Sequence, residues 1–265
     1  MKRAGLALSM LLLSASVAAA DNWHAQARQC IALLDRPAAS AERKCLQVLR
    51  QAERGNIANE LLANVMNRLG VFYDEMGRFD EAERMYRRSL DVKEKVFGPD
   101  SPALAKGISN LAQLFWSRGW FEYSEPLFRR ALALREQAFG RDHPLVASSL
   151  NSLGLLYWNQ GRYEAAEPLF REVLAIREKH FGPDHLEVAS AASNLAVLCD
   201  GAGKPAEAEL LYVRALDIRE KALGPRHPLV VDSLNNLVLF YRGHGQTAEA
   251  DRLAVRLADI AAAER

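Results

Sequence analysis

The chain has 265 residues, enough for one or two domains, and its 34 lysines and arginines nearly balance its 33 aspartates and glutamates. This balance argues against nucleic acid or anionic lipid as a partner, because both attract strongly basic surfaces. After residue 20, no segment is long and apolar enough to predict a membrane span of about 20 residues.

The first twenty residues have the three parts of a secretory signal peptide. Two basic residues follow Met1, an apolar run covers residues 4–13, and a triple alanine ends at Ala20. We therefore expect cleavage after Ala20 and a mature chain that begins at Asp21; an uncleaved N-terminal anchor is the alternative. The alanine- and arginine-rich composition is typical of bacteria, so the predicted compartment is the periplasm.

Residues 21–56 predict a helical hairpin that caps the chain, with helices over 22–35 and 40–54 separated at Arg36-Pro37. Cys30 and Cys45 lie at equal distances from this break, and such residues face each other in an antiparallel hairpin. In an oxidising compartment they predict a disulfide, which would contribute roughly 3 kcal/mol by restricting the unfolded chain. Two free buried thiols are the alternative.

From residue 57 onward, a leucine followed by a small residue recurs every 42 residues, and an aromatic residue or Cys199 stands four positions after the leucine. The leucines are Leu69, Leu111, Leu153, Leu195 and Leu237. A glycine and a second apolar stripe follow each time. This pattern predicts five helical hairpins over 57–265, with helices near 57–76 and 79–96 and then at four shifts of 42 residues. Cys199 is expected to be a buried core residue and not a nucleophile.

These patterns resemble the tetratricopeptide repeat, and the segment Leu174-Ala-Ile-Arg-Glu-Lys-His-Phe-Gly-Pro-Asp-His185 is similar to the longer repeat of kinesin light chains. The resemblance covers residues 57 to about 262. It implies an all-α fold, a right-handed α-α superhelical solenoid with an N-terminal hairpin cap, and a general role as a binding scaffold. The fifth repeat has Ala254 where the others have an aromatic residue, which is typical of a terminal repeat.

His143, His185 and His227 recur once per repeat, with Ser101 in the first slot. Equivalent positions of neighbouring repeats lie roughly 10 Å apart, too far to share a metal ion, so we expect these residues to have a capping or loop role. The sequence lacks the common motifs of serine hydrolases, zinc proteases and thiol oxidoreductases. It predicts no catalytic residue, no cofactor and no metal site.

The inner face of the first helix in each repeat is the predicted binding surface. Amide side chains there can bond the backbone of an extended peptide, and indoles can anchor it. The candidates are Lys106, Asn110, Gln113, Trp116, Asn151, Leu155, Trp158, Asn159, Asn194, Val197, Asn235 and Asn236, with Ser193 and Leu239 among their neighbours. The alternative for Trp116 and Trp158 is that they only cover helix ends.

The sequence therefore predicts a non-catalytic periplasmic scaffold that binds a peptide or protein segment in a concave groove across repeats two to four. Two alternatives stay open. The chain could be an assembly module that acts through its end faces, or an accessory subunit of an enzyme or envelope complex. The partner is expected to be a protein or peptide, and its identity is not encoded in these patterns.

Overall fold

A computed structural model describes residues 22–34 and 39–262 of the chain. The predicted signal peptide, its cleavage site and the Arg36-Pro37 break lie outside these residues. Within the described ranges every regular element is a helix and no strand occurs, so the predicted all-α class is confirmed. The chain divides into two compact units, one ending at Leu134 and the other beginning at Arg135.

The first unit contains the N-terminal hairpin and the first repeats. Its helices are α1 (22–33), α2 (Ala39–Arg54), α3 (Glu60–Glu75), α4 (Phe79–Phe97), α5 (Ala105–Ser117) and the larger part of α6 (Phe121–Phe139). A short 3-10 turn over Pro102–Leu104 precedes α5. One hydrophobic cluster runs through the unit from Trp23 to Leu134.

The second unit continues the same alternation of helices. It contains α7 (Pro144–Asn159), α8 (Tyr163–Phe181), α9 (Leu186–Gly201), α10 (Pro205–Leu223), α11 (Pro228–Gly243) and α12 (Thr247–Ala262). Helix α8 packs against both α7 and α9, α10 packs against α9 and α11, and α12 packs against α11. We call the odd-numbered helices from α3 to α11 the first helices of the repeats, and the even-numbered helices from α4 to α12 the second helices.

The predicted core stripe is buried in every repeat. The five recurring leucines are at most 3% exposed, and the residues four positions later are also buried, including Cys199. The residue after the leucine must be small where the second helix of a repeat packs most closely against the first. A Cβ added to Gly70 would lie 2.6 Å from ring atoms of Tyr86, and one added to Gly154 would lie 3.1 Å from Phe170. The apolar pattern therefore predicted the packing faces correctly.

The first helices begin about three residues later than predicted, because the turn before them is longer. Helix α7 starts at Pro144 instead of near 141, since residues 140–142 form the turn and His143 caps the helix. In the second repeat the delay is larger, because Pro102–Leu104 adopts the tighter 3-10 geometry before α5 begins. The second helices begin at or within one residue of the predicted positions.

The N-terminal hairpin is joined across its two helices. The Cys30 and Cys45 sulfurs are within bonding distance and the two Cα atoms are 5.2 Å apart, which is the arrangement the predicted disulfide requires. The indole nitrogen of Trp23 donates a hydrogen bond of 3.1 Å to the Val48 carbonyl. Glu42 of α2 in turn accepts from the Tyr73 hydroxyl at 3.0 Å, which ties the hairpin to the first repeat.

Candidate functional site

The twelve predicted groove residues all keep solvent-accessible surface, as a binding face requires. Four are exposed: Lys106, Gln113, Asn159 and Asn235. Eight are half-buried: Asn110, Trp116, Asn151, Leu155, Trp158, Asn194, Val197 and Asn236. Those of α5 belong to the first unit and those of α7, α9 and α11 to the second. We call this set the inner face of the corresponding unit.

Asparagine amides pair between neighbouring first helices in both units. In the second unit the Asn194 Nδ2 donates to the Asn151 Oδ1 at 2.8 Å. In the first unit Asn110 donates in the same way to the buried Asn67 at 3.1 Å. Each pair uses one donor nitrogen and one acceptor oxygen. Asn67 is buried, whereas both members of the second unit's pair keep exposed surface.

Ser193 corrects one expectation for the inner face. It was predicted to face the groove but is buried. Its position in α9 corresponds to Asn151 in α7 and Asn67 in α3, whose side chains turn toward the next first helix. Asn235 occupies the same position in α11 and is exposed, because no first helix follows α11 in the described chain.

An aliphatic row lies one helical turn beyond the asparagines of the second unit. Leu155, Val197 and Leu239 occupy equivalent positions 42 residues apart on α7, α9 and α11. The first two are half-buried, whereas Leu239 is 68% exposed. An exposed leucine beside polar amides is available to an apolar side chain of a ligand, and its burial would favour binding.

The two predicted tryptophan anchors are both half-buried and lie in different units. The Trp116 indole nitrogen is enclosed and has no hydrogen-bond partner among the described residues. In this rotamer its N–H cannot reach a ligand, although part of the ring is exposed. An enclosed and unpaired donor of this kind costs about 1–3 kcal/mol.

One end of the second unit's inner face carries a hydrogen-bonded histidine and aspartate. The His244 Nε2 lies 2.6 Å from the Asp200 Oδ1, and Arg242 beside it is exposed. Asp200 and Arg242 occupy the position that holds Trp158 in the third repeat. The inner face of this unit thus changes from aromatic to charged side chains along successive helices.

The recurring histidines cap helices, as predicted. The Nδ1 atoms of His143, His185 and His227 accept hydrogen bonds of 3.1–3.2 Å from the backbone N–H two residues later. Ser101 does the same with its hydroxyl at 3.3 Å. Among the described residues, no group of three or more histidine, cysteine, aspartate or glutamate side chains is placed to hold a metal ion.

Cys199 has the environment of a core residue. It is fully buried and unbonded, and burial raises the pKa of its thiol to about 11. The thiol therefore stays protonated at neutral pH, where a nucleophile would need the thiolate. This agrees with the prediction that Cys199 is a small apolar core residue.

The sequence analysis missed a cluster of aromatic side chains in the second repeat. Phe115, Trp120 and Tyr123 meet at the turn between α5 and α6, and Trp120 and Tyr123 are 40% and 61% exposed. The aligned repeats contain a signal for this cluster. The position of Trp120 is basic in the first, third and fourth repeats, where it is Arg78, Arg162 and Lys204. A search for recurring residues does not detect this difference, because one exceptional residue leaves the 42-residue period unchanged.

In the part of the chain that the structure describes, no helix combines the length and apolarity needed to cross a lipid bilayer.

Stacked helical hairpins with small residues at their crossings define the chain as a helical repeat scaffold. Family models described as the tetratricopeptide repeat match residues 62–103, and residues 110–179 and 153–221. Together these matches span more than half of the sequence, and the chain belongs to the tetratricopeptide repeat family. Its fold is an all-α repeat solenoid, and the family is generally a non-catalytic protein-interaction scaffold.

The solved structures include similar repeat proteins. BtubC (BKLC) from P. vanneervenii is 26% identical, with a TM-score of 0.73 over 87% of this chain and 92% of that chain. A putative kinesin light chain from Podosopora anserina with nearly identical TPR-like repeats is 22% identical, with a TM-score of 0.69 over 79% and 99% of the two chains. Aspartyl phosphate phosphatase F from Bacillus subtilis is 14% identical, with a TM-score of 0.66 over 96% and 73%.

These likenesses confirm the predicted kinesin light chain-like repeat type. No curated protein sequence matches the chain significantly.

Proposed function

We propose that the protein is a non-catalytic scaffold that binds an extended peptide or protein segment along the inner face of its first helices after export to the periplasm. The observation that carries this proposal is the second unit's inner face, where paired asparagines lie beside a row of partly uncovered aliphatic side chains. The triple alanine ending at Ala20 supports export, and so does the Cys30–Cys45 pair, because disulfides persist in oxidising compartments.

The asparagine pair suits a peptide backbone. With the Asn151 oxygen and the Asn194 nitrogen engaged with each other, the Asn151 amino group and the Asn194 carbonyl oxygen are not used within the pair. A peptide unit also has one donor and one acceptor, so a chain lying across α7 and α9 can satisfy both. Such bonds do not depend on the side chains of the ligand. They provide general affinity for an extended segment, and the neighbouring side chains provide selection.

The aliphatic row supplies selection by apolar contact. Burying a leucine-sized side chain is worth about 1.5–3 kcal/mol, which corresponds to roughly ten- to hundredfold in affinity. Leu239 is the most exposed member of the row. A ligand side chain placed there would gain most of its contact energy from a residue that contributes little to the packing of the free protein.

The chain offers a matched pair of leucines for testing this surface. Leu239 on α11 is 68% exposed and Leu210 on α10 is 73% exposed, so an aspartate at either position should disturb folding equally little. Peptides selected from a random displayed library on the mature chain would be measured against both variants. We expect Leu239→Asp to weaken binding at least tenfold, because it places a charge in the apolar row, and Leu210→Asp to leave it unchanged.

The reverse result, with loss only in Leu210→Asp, would place the binding surface on the second helices and refute the proposal. Normal binding by both variants would also contradict it and would favour an interaction through the end faces. Circular dichroism of both variants serves as the folding control.

A further inference from the structure

The residue that follows the turn glycine is basic in three of the five repeats, and it is Trp120 in the second repeat and Gln246 in the fifth. It is Arg78 in the first repeat, Arg162 in the third and Lys204 in the fourth. In the first and third repeats the guanidinium covers the buried aromatic ring of its own repeat. The Arg78 Cζ lies 4.4 Å from the Tyr73 ring centroid, and the Arg162 Cζ lies 4.1 Å from that of Tyr157. Both distances are typical of cation–π contacts.

The second repeat departs from this arrangement at two positions. Trp120 replaces the arginine that would cover Phe115, and Tyr123 replaces the acidic residue that is Glu81 in the first repeat. In the first repeat Glu81 holds Arg78 through a hydrogen bond of 3.0 Å, so relative to that repeat the two changes remove both the cation and the carboxylate that positions it. The third repeat has Ala165 at this position. The local ion pair is exchanged for two exposed aromatic side chains.

The three rings form an open cluster and do not stack flat on one another. The Phe115 centroid lies 5.8 Å from that of Trp120 and 5.9 Å from that of Tyr123, and the Trp120 and Tyr123 centroids are 6.4 Å apart. The ring planes are inclined to each other by 35–66°. Rings inclined in this way present several electron-rich faces to a common space.

These rings line a cleft of about 330 Å³ together with Glu83 and Arg87 of α4. This volume is at the small end of ligand sites, which suits one side chain better than a cofactor. The Glu83 carboxylate binds the Arg87 guanidinium at 2.8 Å, so the rim carries balanced charges. Arg118 lies over the Trp120 ring at 4.2 Å and is 3.7 Å from Asp80.

We propose that this aromatic cleft binds an arginine side chain of a partner polypeptide. The occupant is inferred from the chain itself, because the corresponding ring in two other repeats is covered by a guanidinium from its own turn. In the second repeat the turn supplies no such arginine, and the guanidinium that faces the Phe115 ring is that of Arg87 on α4, at the longer distance of 5.9 Å. The exposed Trp120 and Tyr123 rings add further faces for a cation. Because the Glu83 carboxylate pairs with Arg87, these two side chains leave no net positive charge at the rim to repel the incoming guanidinium.

The cleft is separate from the inner face in its chemistry and position. It is built from the turn between α5 and α6 and from the second helix α4, whereas the inner face consists of first-helix residues. A partner could use either site alone. The arginine site adds a preference for a basic residue that the amide-lined inner face does not supply.

The indole N–H signals of the chain's four tryptophans allow a direct test by nuclear magnetic resonance. The probes are acetyl-Gly-X-Gly-amide peptides in which X is arginine, lysine, leucine or proline. We expect the arginine peptide to shift the Trp120 signal saturably, the lysine peptide to do so more weakly, and the leucine and proline peptides to leave it in place. Guanidinium stacks on aromatic faces better than the strongly hydrated ammonium group does.

Two variants connect the response to the cleft. Tyr123→Ala removes one wall at an exposed position, and we expect it to weaken the arginine response about fivefold to tenfold. Val96→Ala alters an exposed residue near the other end of α4, outside both the cleft and the inner face, and should leave the response unchanged.

An arginine response that Tyr123→Ala leaves unchanged would overturn the proposal. A stronger response to leucine or proline would identify an apolar site instead, and no response of Trp120 to any peptide would show that the cleft is not a binding site. Shifts of Trp116 or Trp158 alone would also reject this cleft, while they would leave the inner-face proposal intact.

Discussion

At the scale of single residues, the histidine caps show how one side chain can both cap a helix and stack on a neighbouring aromatic ring. The His143 ring accepts from the backbone at the start of α7 and stacks on Phe139, with centroids 4.7 Å apart. His185 repeats both contacts with Phe181 at the start of α9. A serine in the same slot, Ser101, provides the cap without the stacking surface. The three histidines are therefore accounted for by the local structure of their turns.

The cysteines give the prediction that belongs to this scale. We expect the exported protein to contain a Cys30–Cys45 disulfide and one free thiol at Cys199. Alkylation in denaturant without reductant, followed by intact mass measurement, should add one label, and prior reduction should raise this to three. The same mass should correspond to a chain that begins at Asp21. Three labels without reductant, or a Cys30–Cys199 linkage, would contradict the prediction.

At the scale of helices, packing distance depends on the residue at each crossing. Gly70 of α3 has the Tyr86 ring directly above it, whereas the equivalent positions of other repeats hold Ala112 and Ala196. The same repeat position therefore accepts a methyl group in some hairpins and not in others. The difference arises from how the facing side chain lies, which a sequence pattern does not specify.

Two glycine variants measure this effect. Gly70→Ala should lower the thermal unfolding midpoint, because a Cβ 2.6 Å from the buried Tyr86 ring forces repacking that costs about 1–3 kcal/mol. Gly243→Ala should leave the midpoint unchanged or raise it, since nothing lies within 4 Å of its added Cβ and alanine favours the helix by up to about 1 kcal/mol. If both variants shift the unfolding midpoint equally and in the same direction, the close approach of the Tyr86 ring to Gly70 does not limit stability.

Most of the helical arrangement could be predicted from the 42-residue period, because each hairpin must bury the same stripe. The period could not predict the burial of Ser193, because the serine at the equivalent position of the second repeat, Ser109, is half-buried. It also could not predict the enclosed Trp116 nitrogen, since that follows from side-chain orientation. The aromatic cleft was missed because its residues are exceptions to the repeat, and a pattern search gives weight to what recurs.

At the scale of the whole molecule, the family and the described surfaces support a role in binding proteins. The two compact units each carry asparagine pairs on their first helices, so each has a surface of the same kind. Binding sites on repeat proteins extend over several repeats, which gives affinity through many modest contacts. A ligand of this surface should therefore be an extended segment of a polypeptide and not a small molecule.

The most direct test of this account is photo-crosslinking from two valines of the second unit. A benzophenone amino acid would replace Val197, which is half-buried on the inner face of α9, or Val213, which is exposed on α10. In cells that export the protein, we predict partner adducts of defined mass from position 197 and none from position 213. Adducts from position 213 with none from position 197 would contradict the claim that the inner face of the first helices is the binding surface.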